Sequence, residues 1–201
     1  GVDEKEFPFT KPLKKGKIEI VYTGRILKDK GVIDLIKAMK LLDDESKKDV
    51  VLKLYGTIDI KNPTHIKEEE LKSQLIRGFI KWEGFTSEVK RILESADIYC
   101  LPSYREGLPK SSIEAMAIGR PIITTNVPGC EDTVQDGYNG YKIEAGDVEA
   151  LSKKLNELIK NKQLRIQMGE NSRKLFLRNF TLEKVISQIV ESYNSVLSIT
   201  C

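Results

Sequence analysis

The sequence is poor in the residues that mark metal sites, disulfide frameworks and membrane spans. It holds one histidine and three cysteines among 201 residues, with no long apolar run and no signal peptide. The cysteines, Cys100, Cys130 and Cys201, are odd in number and widely spaced, which favours a reducing cytoplasm. The lone histidine, His65, lies in a polar stretch and supports no metal site. We therefore expect a cytoplasmic protein whose chemistry does not rest on metal ligands or on cysteine.

Neither sign of charge dominates the sequence. There are 33 Lys and Arg against 30 Asp and Glu, and the resulting net charge of +3 is too small to indicate a nucleic-acid partner. One basic cluster, residues 11–17, indicates a solvated linker first, and contact with a membrane surface stays open for it. The hydrophobic fraction of 40% in a chain of this length is enough for one large domain with its own core.

Two common nucleotide-binding motifs are missing. The first predicted strand is followed by Gly24-Arg25-Ile26, not by the G-x-G-x-x-G turn of nicotinamide dehydrogenases. The G-x-x-x-x-G-K-[ST] loop of nucleoside-triphosphate hydrolases is also missing from the sequence. Both of these enzyme classes are therefore disfavoured.

Short apolar runs alternate with amphipathic stretches along the chain. Strands are predicted over 17–22, 50–55, 79–82, 97–101, 121–125 and 141–143. Helices are predicted over 31–42, 65–76, 87–95, 111–118, 148–160, 162–177 and 182–198. Such alternation is typical of right-handed βαβ units around a parallel sheet, so we predict a single α/β, Rossmann-like domain. The loop near 56–63 has the weakest pattern.

The most informative stretch is 102–117, where a buried strand is followed by a turn and a helix. Ligands of open α/β sheets bind at this carboxyl edge of the strands. Gly107 allows the backbone close to a ligand, and Pro109 precedes helix amides that have no partner and favour a phosphate. Glu114, about one turn into the helix, can accept two hydrogen bonds from a vicinal diol such as a ribose. The helix dipole alone would favour Glu114, but Glu106 and Glu114 together predict a site for a sugar and its nucleotide.

A pair of cations is predicted at the same edge of the sheet. Arg25 follows the first strand, and Lys30 precedes the helix over 31–42. Arginine grips a phosphate with a fork of donors, whereas lysine supplies a point charge, so the two complement each other. Lys28, between them, is interpreted as a solvated surface charge.

These motifs resemble those of family-four retaining glycosyltransferases of the GT-B fold, of the bacterial polysaccharide and lipid-linked oligosaccharide type. The central match is Glu106 to Glu114, with Gly107-Leu108-Pro109 inside it and residues 115–121 after it. Further matching segments follow in the family's order: Gly1-Val2-Asp3 with Phe7, Tyr22-Thr23-Gly24-Arg25 with Lys30-Gly31, Gly84-Phe85, Ala96-Asp97, Pro128-Gly129-Cys130-Glu131 and Asp136-Gly137-Tyr138-Asn139-Gly140. The resemblance runs from the first residue to the last helices.

The resemblance implies a role for each motif residue. Arg25 and Lys30 would neutralise the diphosphate of the donor, Glu106 would bind hydroxyls of the donor sugar, and the base would lie near Phe85. Trp82 and Phe85 could equally be core residues. The implied catalytic residues are Arg25, Lys30 and Glu106, and the implied donor-binding residues are Gly24, Phe85, Gly107, Leu108, Pro109, Lys110, Ser111 and Glu114.

The implied reaction is transfer of a sugar, with retention, from a nucleotide-diphosphate donor to an acceptor hydroxyl. UDP is the favoured nucleotide, and no cofactor is expected. The sequence lacks the Asp-any-Asp motif of metal-dependent transferases, so no metal is expected either. The acceptor would be a saccharide, free or lipid-linked, in surface polysaccharide or glycolipid synthesis, which places the enzyme in the cytoplasm or at the cytoplasmic face of the inner membrane.

The resembled enzymes contain two Rossmann-like domains, and this chain matches the second, donor-binding one. The resemblance divides it into a connecting segment (1–16), the nucleotide-sugar domain (17–180) and a final helix (181–201) that braces the first domain. Alone, the domain should bind a donor without efficient transfer. The apolar positions of the final helix would be partly exposed or would pack locally: Val185, Ile189, Tyr193 and Val196.

Three alternatives stay open. A sugar-nucleotide epimerase has a similar fold, and a noncatalytic binding or scaffold module would carry the same motifs without transfer. A two-carboxylate glycosidase could use Glu106 and Glu114 as acid and nucleophile, but it fits poorly with a phosphate clamp at the same edge.

Overall fold

The computed structural model describes residues 1–12 and 16–199, in which six strands alternate with helices. The strands are β1 (Ile18–Thr23), β2 (Val50–Tyr55), β3 (Ile80–Gly84), β4 (Ile98–Leu101), β5 (Ile122–Thr125) and β6 (Gly140–Ile143). The helices are α1 (Val32–Lys40), α2 (Asp44–Asp49), α3 (Glu68–Gln74), α4 (Val89–Ser95), α5 (Lys110–Ile118), α6 (Val148–Lys160), α7 (Lys162–Asn179) and α8 (Leu182–Ile199).

All six strands are parallel and follow the order β3-β2-β1-β4-β5-β6. Every residue of β4 and β5 is buried, as expected when helices cover both faces of a parallel sheet. The order reverses between β1 and β4, where Val21 pairs with Tyr99. Connections leave these two strands in opposite directions, which opens a crevice at their carboxyl ends. The α/β fold class predicted from the sequence is confirmed.

Two arginines hold the first residues of the chain against the body of the domain. Arg120 is fully buried and donates hydrogen bonds to the carbonyls of Leu93 and Thr10. Arg173 donates to the carbonyl of Phe7, whose ring is 4% exposed within the core. Residues 7–10 therefore pack as part of the domain, while the division of the chain at residue 16 stays a prediction.

The predicted elements are confirmed with one omission and one misplaced boundary. All six strands and seven helices occur where the pattern places them, and the strand bounds differ by no more than two residues. The helix predicted over 65–76 begins at Glu68 and not at 65, because His65 forms a bridge with Leu27. Helix α2 was missed because its six residues, DESKKD, have no apolar stripe; its start is stabilised by the Asp43 side chain, which accepts from the Ser46 amide.

Helix α8 exposes most of the apolar residues on the part of it whose side chains are described. Val185 is half-buried, whereas Ile189 and Tyr193 are 50% and 69% exposed. The fourth position named from the sequence, Val196, lies outside the described side chains. Partial exposure is therefore the outcome at Ile189 and Tyr193, rather than local packing. Within residues 1–12 and 16–199, none of the helices combines the length and apolar content that crossing a bilayer requires.

Candidate functional site

A cavity of about 430 Å³ lies at the carboxyl ends of β1 and β4, in the crevice where the strand order reverses. Its volume falls within the range of small-molecule sites. Nine of the eleven residues predicted for the site line it: Gly24, Arg25, Lys30, Glu106, Leu108, Pro109, Lys110, Ser111 and Glu114. The sheet thus brings together motifs that are far apart in the sequence.

Lys30 and Glu106 form the central ion pair of the cavity. The Lys30 ammonium lies 2.7 Å from Glu106 Oε1 and also donates to the Arg105 carbonyl at 3.1 Å. The two side chains are only 15% and 17% exposed, so the pair is shielded from water and its charges act over the whole cavity. A cation and a carboxylate therefore lie side by side in the cavity wall.

Arg25 stands at the mouth of the cavity and is held from two directions. Its guanidinium donates to Asp59 at 3.1 Å, with the Arg25 side chain 55% exposed. Its carbonyl accepts a 2.6 Å hydrogen bond from the buried Tyr22 hydroxyl. The loop after β1 is further joined to the loop after β2, because the Ile26 amide donates to the Thr57 carbonyl. The position of Arg25 thus depends on the neighbouring loop.

The start of helix α5 forms the opposite wall of the cavity. Pro109 is the residue before the helix, and its carbonyl accepts from the Ser112 and Ile113 amides. The amides of Lys110 and Ser111 precede the first intrahelical bond, so they and the helix dipole favour an anion here.

Glu114 lies one turn further along α5 and is 8% exposed. Lys110, on the helix surface, approaches it at 3.4 Å. Burial raises the pKa of the Glu114 carboxyl above its ordinary value, and the Lys110 ammonium offsets part of that shift. Its carboxylate can accept ribose hydroxyls in a partly desolvated place, where hydrogen bonds contribute most to affinity.

We expect Glu114→Gln to stabilise the free protein at neutral pH. A carboxyl whose folded-state pKa is raised destabilises the fold as the pH rises from its unfolded pKa through its folded pKa, so the cost is present at pH values above the raised pKa. The gain should therefore shrink as the pH falls through the raised pKa of Glu114 toward the ordinary value of 4.5, and be lost below that value. Denaturant unfolding between pH 4 and pH 8 measures it, and Glu149→Gln, an exposed first-turn glutamate of α6, should show no gain. An equal gain in both variants would contradict this account of Glu114.

Two predicted residues lie beside the cavity instead of in its wall. Gly107 packs under the loop after β5, where a Cβ on Gly129 would lie 1.9 Å from the Gly107 carbonyl oxygen. Phe85 is 77% exposed just beyond β3 and is not among the described residues that line the cavity. Trp82, its neighbour on β3, is half-buried and donates to the Gly56 carbonyl. Of the two aromatics, only Trp82 packs against the core.

Sequence reasoning gave no role to several residues that shape the site. Asp59, which holds Arg25, lies in the loop that had the weakest pattern. Tyr22 lines the cavity, and Tyr99 lies beneath it. The sequence does contain a signal for these two residues, which is a tyrosine within an apolar strand. A buried phenol needs a hydrogen-bond partner, so such a tyrosine indicates a polar group nearby.

Metal-binding side chains do not gather in threes within the part of the chain that the structure describes. Cys130 is buried in the loop after β5, and burial raises the pKa of its thiol. A thiol in such surroundings is a weak nucleophile. The polar chemistry of the cavity therefore comes from its lysines, arginine, glutamates and hydroxyls.

Known proteins share both the sequence pattern and the fold. The capsular polysaccharide biosynthesis glycosyltransferase CapM of Staphylococcus aureus is 32% identical over 178 residues, which cover 89% of this chain and 46% of CapM. The N,N'-diacetylbacillosaminyl-diphospho-undecaprenol alpha-1,3-N-acetylgalactosaminyltransferase of Campylobacter jejuni is 31% identical over 170 residues, 84% of this chain and 43% of the relative. The chain spans about half the length of these curated relatives.

Solved structures confirm the architecture. HepE from Anabaena, crystallised with UDP and glucose, superimposes with a TM-score of 0.82 at 19% identity, over 97% of this chain and 55% of HepE. At that identity the likeness concerns the fold alone. The family described as glycosyl transferases group 1 matches residues 3–175, which include every strand and every residue of the cavity. The chain belongs to that family, as the resemblance of its motifs indicated.

Proposed function

We propose that this chain is the donor-binding domain of a retaining glycosyltransferase that uses a UDP-sugar. The observation that carries the proposal is one cavity that joins three cations, two carboxylates and a helix start. Cations and free amides suit a diphosphate, and carboxylates suit the hydroxyls of two sugars, the ribose and the transferred one. Each end of a nucleotide sugar thereby meets complementary groups.

The proposed catalysis depends on stabilising the negative charge that develops on the leaving diphosphate. When the bond between the sugar and the diphosphate breaks, the leaving diphosphate gains charge. Lys30, Arg25 and the first amides of α5 stabilise that charge electrostatically. In this proposal the protein's own cations take the place of a metal, and no cofactor takes part. The interactions strengthen as the charge develops, so they favour the transition state over the bound donor.

The two carboxylates have different tasks. Glu106 accepts hydrogen bonds from hydroxyls of the transferred sugar, next to the ammonium of Lys30. Glu114, about a helical turn beyond the cavity's phosphate end, accepts from the ribose. Glu106 is not assigned as a nucleophile, because its carboxylate is occupied by Lys30 at 2.7 Å. Retention then follows from attack on the same face of the sugar, assisted by the donor phosphate, as in the resembled family.

The names of similar proteins support the choice of donor and acceptor. HepE was crystallised with UDP and glucose, which favours a uridine nucleotide here. The Campylobacter relative is named for a saccharide on diphospho-undecaprenol, and CapM for capsular polysaccharide synthesis. We take the acceptor to be a saccharide, free or carried on such a lipid, and the enzyme to act in the cytoplasm or at the cytoplasmic face of the inner membrane.

The full enzyme has a second domain in this proposal. The chain covers 46% and 43% of the two relatives, which leaves room for a domain of similar size. Residues 1–16 lead into the nucleotide-sugar domain over 17–180, and residues 181–201 return to brace the other domain. The exposed Ile189 and Tyr193 of α8 are the side chains available for that contact. The acceptor is bound mainly by the other domain.

Calorimetric titration of the chain with UDP, GDP and ADP in EDTA tests the donor site. We expect selective binding of UDP, with Glu114→Ala weakening it about tenfold or more, since a desolvated hydrogen bond is worth about 1–3 kcal/mol. The same variant should lose the preference of the parent for UDP over 2′-deoxy-UDP. Binding of none of the three nucleotides, or binding that Arg25→Ala and Glu114→Ala leave intact, would favour a scaffold module. Epimerised sugar formed from a UDP-sugar without acceptor would favour an epimerase.

A further inference from the structure

Tyr99 connects three elements beneath the floor of the cavity. It lies in β4, fully buried, in register with Val21 of β1. Its hydroxyl is 2.7 Å from Ser111 Oγ at the start of α5, and 3.3 Å from both the carbonyl and the hydroxyl of Thr23 at the end of β1. The phenol therefore sits at the seam where β1, β4 and α5 meet.

The direction of the shortest hydrogen bond decides what Ser111 can do. A phenol has one proton, and Ser111 Oγ at 2.7 Å is a much closer acceptor than the Thr23 carbonyl at 3.3 Å, so Tyr99 donates to Ser111. Burial raises the pKa of Tyr99 well above its ordinary value, so the phenol stays a donor throughout the neutral range. Because Ser111 Oγ accepts that proton, its own proton is left for another acceptor. Ser111 lines the cavity, so that acceptor can be a ligand.

We propose that Tyr99 is a positioning residue for donor binding, which orients the Ser111 hydroxyl so that its proton points at a phosphate oxygen of the donor. This inference rests on the proposed function, since it takes the ligand to be a nucleoside diphosphate. A phosphate oxygen only accepts hydrogen bonds, so a serine that donated to Tyr99 would present lone pairs to it and repel it. Donation from Tyr99 also polarises the Ser111 O–H bond and strengthens its contact with the phosphate.

The structure separates this role from that of a core residue. The ring of Tyr99 belongs to the hydrophobic core, and a phenylalanine would fill the same space. The hydroxyl alone reaches Ser111, and Thr23 keeps its place through the sheet pairing of β1 with β2. Tyr99→Phe therefore removes the orienting hydrogen bond with little change in packing.

A double-mutant cycle on this 201-residue chain tests the inference, with UDP and uridine as probes. We expect Tyr99→Phe to weaken UDP binding about fivefold and Ser111→Ala about tenfold, the range of one ordinary hydrogen bond. The double variant should bind UDP no more weakly than Ser111→Ala, because Tyr99 acts only through Ser111. Uridine binding, followed by ligand-observed NMR, should be the same in all four proteins.

The outcomes separate this inference from the proposed function. A parent chain that binds no nucleoside diphosphate would refute the proposed function itself. A parent that binds UDP, with Tyr99→Phe equally tight or with additive losses in the double variant, would overturn only the role of Tyr99. An equal loss of UDP and uridine would show a structural effect and overturn it too. If Tyr99→Phe fails to fold, Ser111→Ala alone tests the inference. Unchanged UDP binding by Ser111→Ala would show that the Ser111 hydroxyl does not contact the phosphate, and would overturn the inference.

Discussion

Lys30→Ala is expected to weaken binding of UDP to this chain about a hundredfold, or close to 3 kcal/mol. The substitution removes a shielded ammonium and also leaves the Glu106 carboxylate, 2.7 Å away and 17% exposed, without its cation. That carboxylate then faces a diphosphate of the same sign. Arg25→Ala should cost less, about fivefold, because the Arg25 side chain is 55% exposed and already paired with Asp59. Calorimetry at one fixed ionic strength measures both.

The charges around Lys30 supply the controls for this experiment. Lys28, two residues earlier and exposed, can be changed to alanine without an expected effect on UDP binding. Glu106→Gln should tighten binding of bare UDP severalfold, since it removes the repulsion, while the preference for UDP-sugar over UDP falls. Binding of UDP by Lys30→Ala with parental affinity would exclude Lys30 from the phosphate site.

Gly129→Ala is expected to lower the free energy of unfolding by about 3 kcal/mol or more. Gly129 has a φ of +82°, which costs a residue with a side chain about 1 kcal/mol or more. Its Cβ would also lie 1.9 Å from the Gly107 carbonyl oxygen and 2.8 Å from that of Glu106, and overpacking against backbone adds about 1–3 kcal/mol. Thermal unfolding should show a melting temperature lower by roughly 6–12 °C.

Gly137→Ala is the matched control for Gly129. Gly137 has a similar φ of +73°, but nothing lies within 4 Å of the position its Cβ would take. Its substitution should therefore cost only the backbone strain, about 1 kcal/mol. The difference between the two variants measures the contact with the loop that carries Glu106. Equal losses of stability would mean that this contact does not constrain the loop, and donor binding by Gly129→Ala would then be unchanged.

Local pattern is enough to predict the sheet and the composition of the cavity. The strands are short apolar runs, and the helices other than α2 and α3 carry apolar residues at helical spacing, because burial on a parallel sheet requires both. The carboxyl ends of parallel strands meet at one edge, so motifs that follow separate strands are expected together. Nine of the eleven predicted residues line the cavity for that reason.

The remaining features depend on contacts between distant parts of the chain. Helix α2 owes its position to packing and to a hydrogen bond from Ser46 to Asn156, 110 residues later, and not to an apolar stripe. The partner of Arg25 is Asp59, which the sequence places in a loop without periodicity. The sequence predicts that Lys30 contacts the phosphate and Glu106 the sugar. The ion pair between them could not be predicted, because it depends on β1 and β4 being neighbours in the sheet.

The seam between β1 and β4 also sets when the cavity can form as the chain folds. The amide of Glu19 in β1 donates to Asp97, 78 residues later in the sequence. The pairs β2–β3, β4–β5 and β5–β6 join strands that are much closer in the sequence. Closing the longer loop costs more chain entropy, so we expect the two local halves of the sheet to assemble before they dock. A ligand that needs groups from both sides of the seam can bind only after docking. If the chain binds a nucleotide as proposed, we expect that binding to appear during refolding only once the two halves have docked.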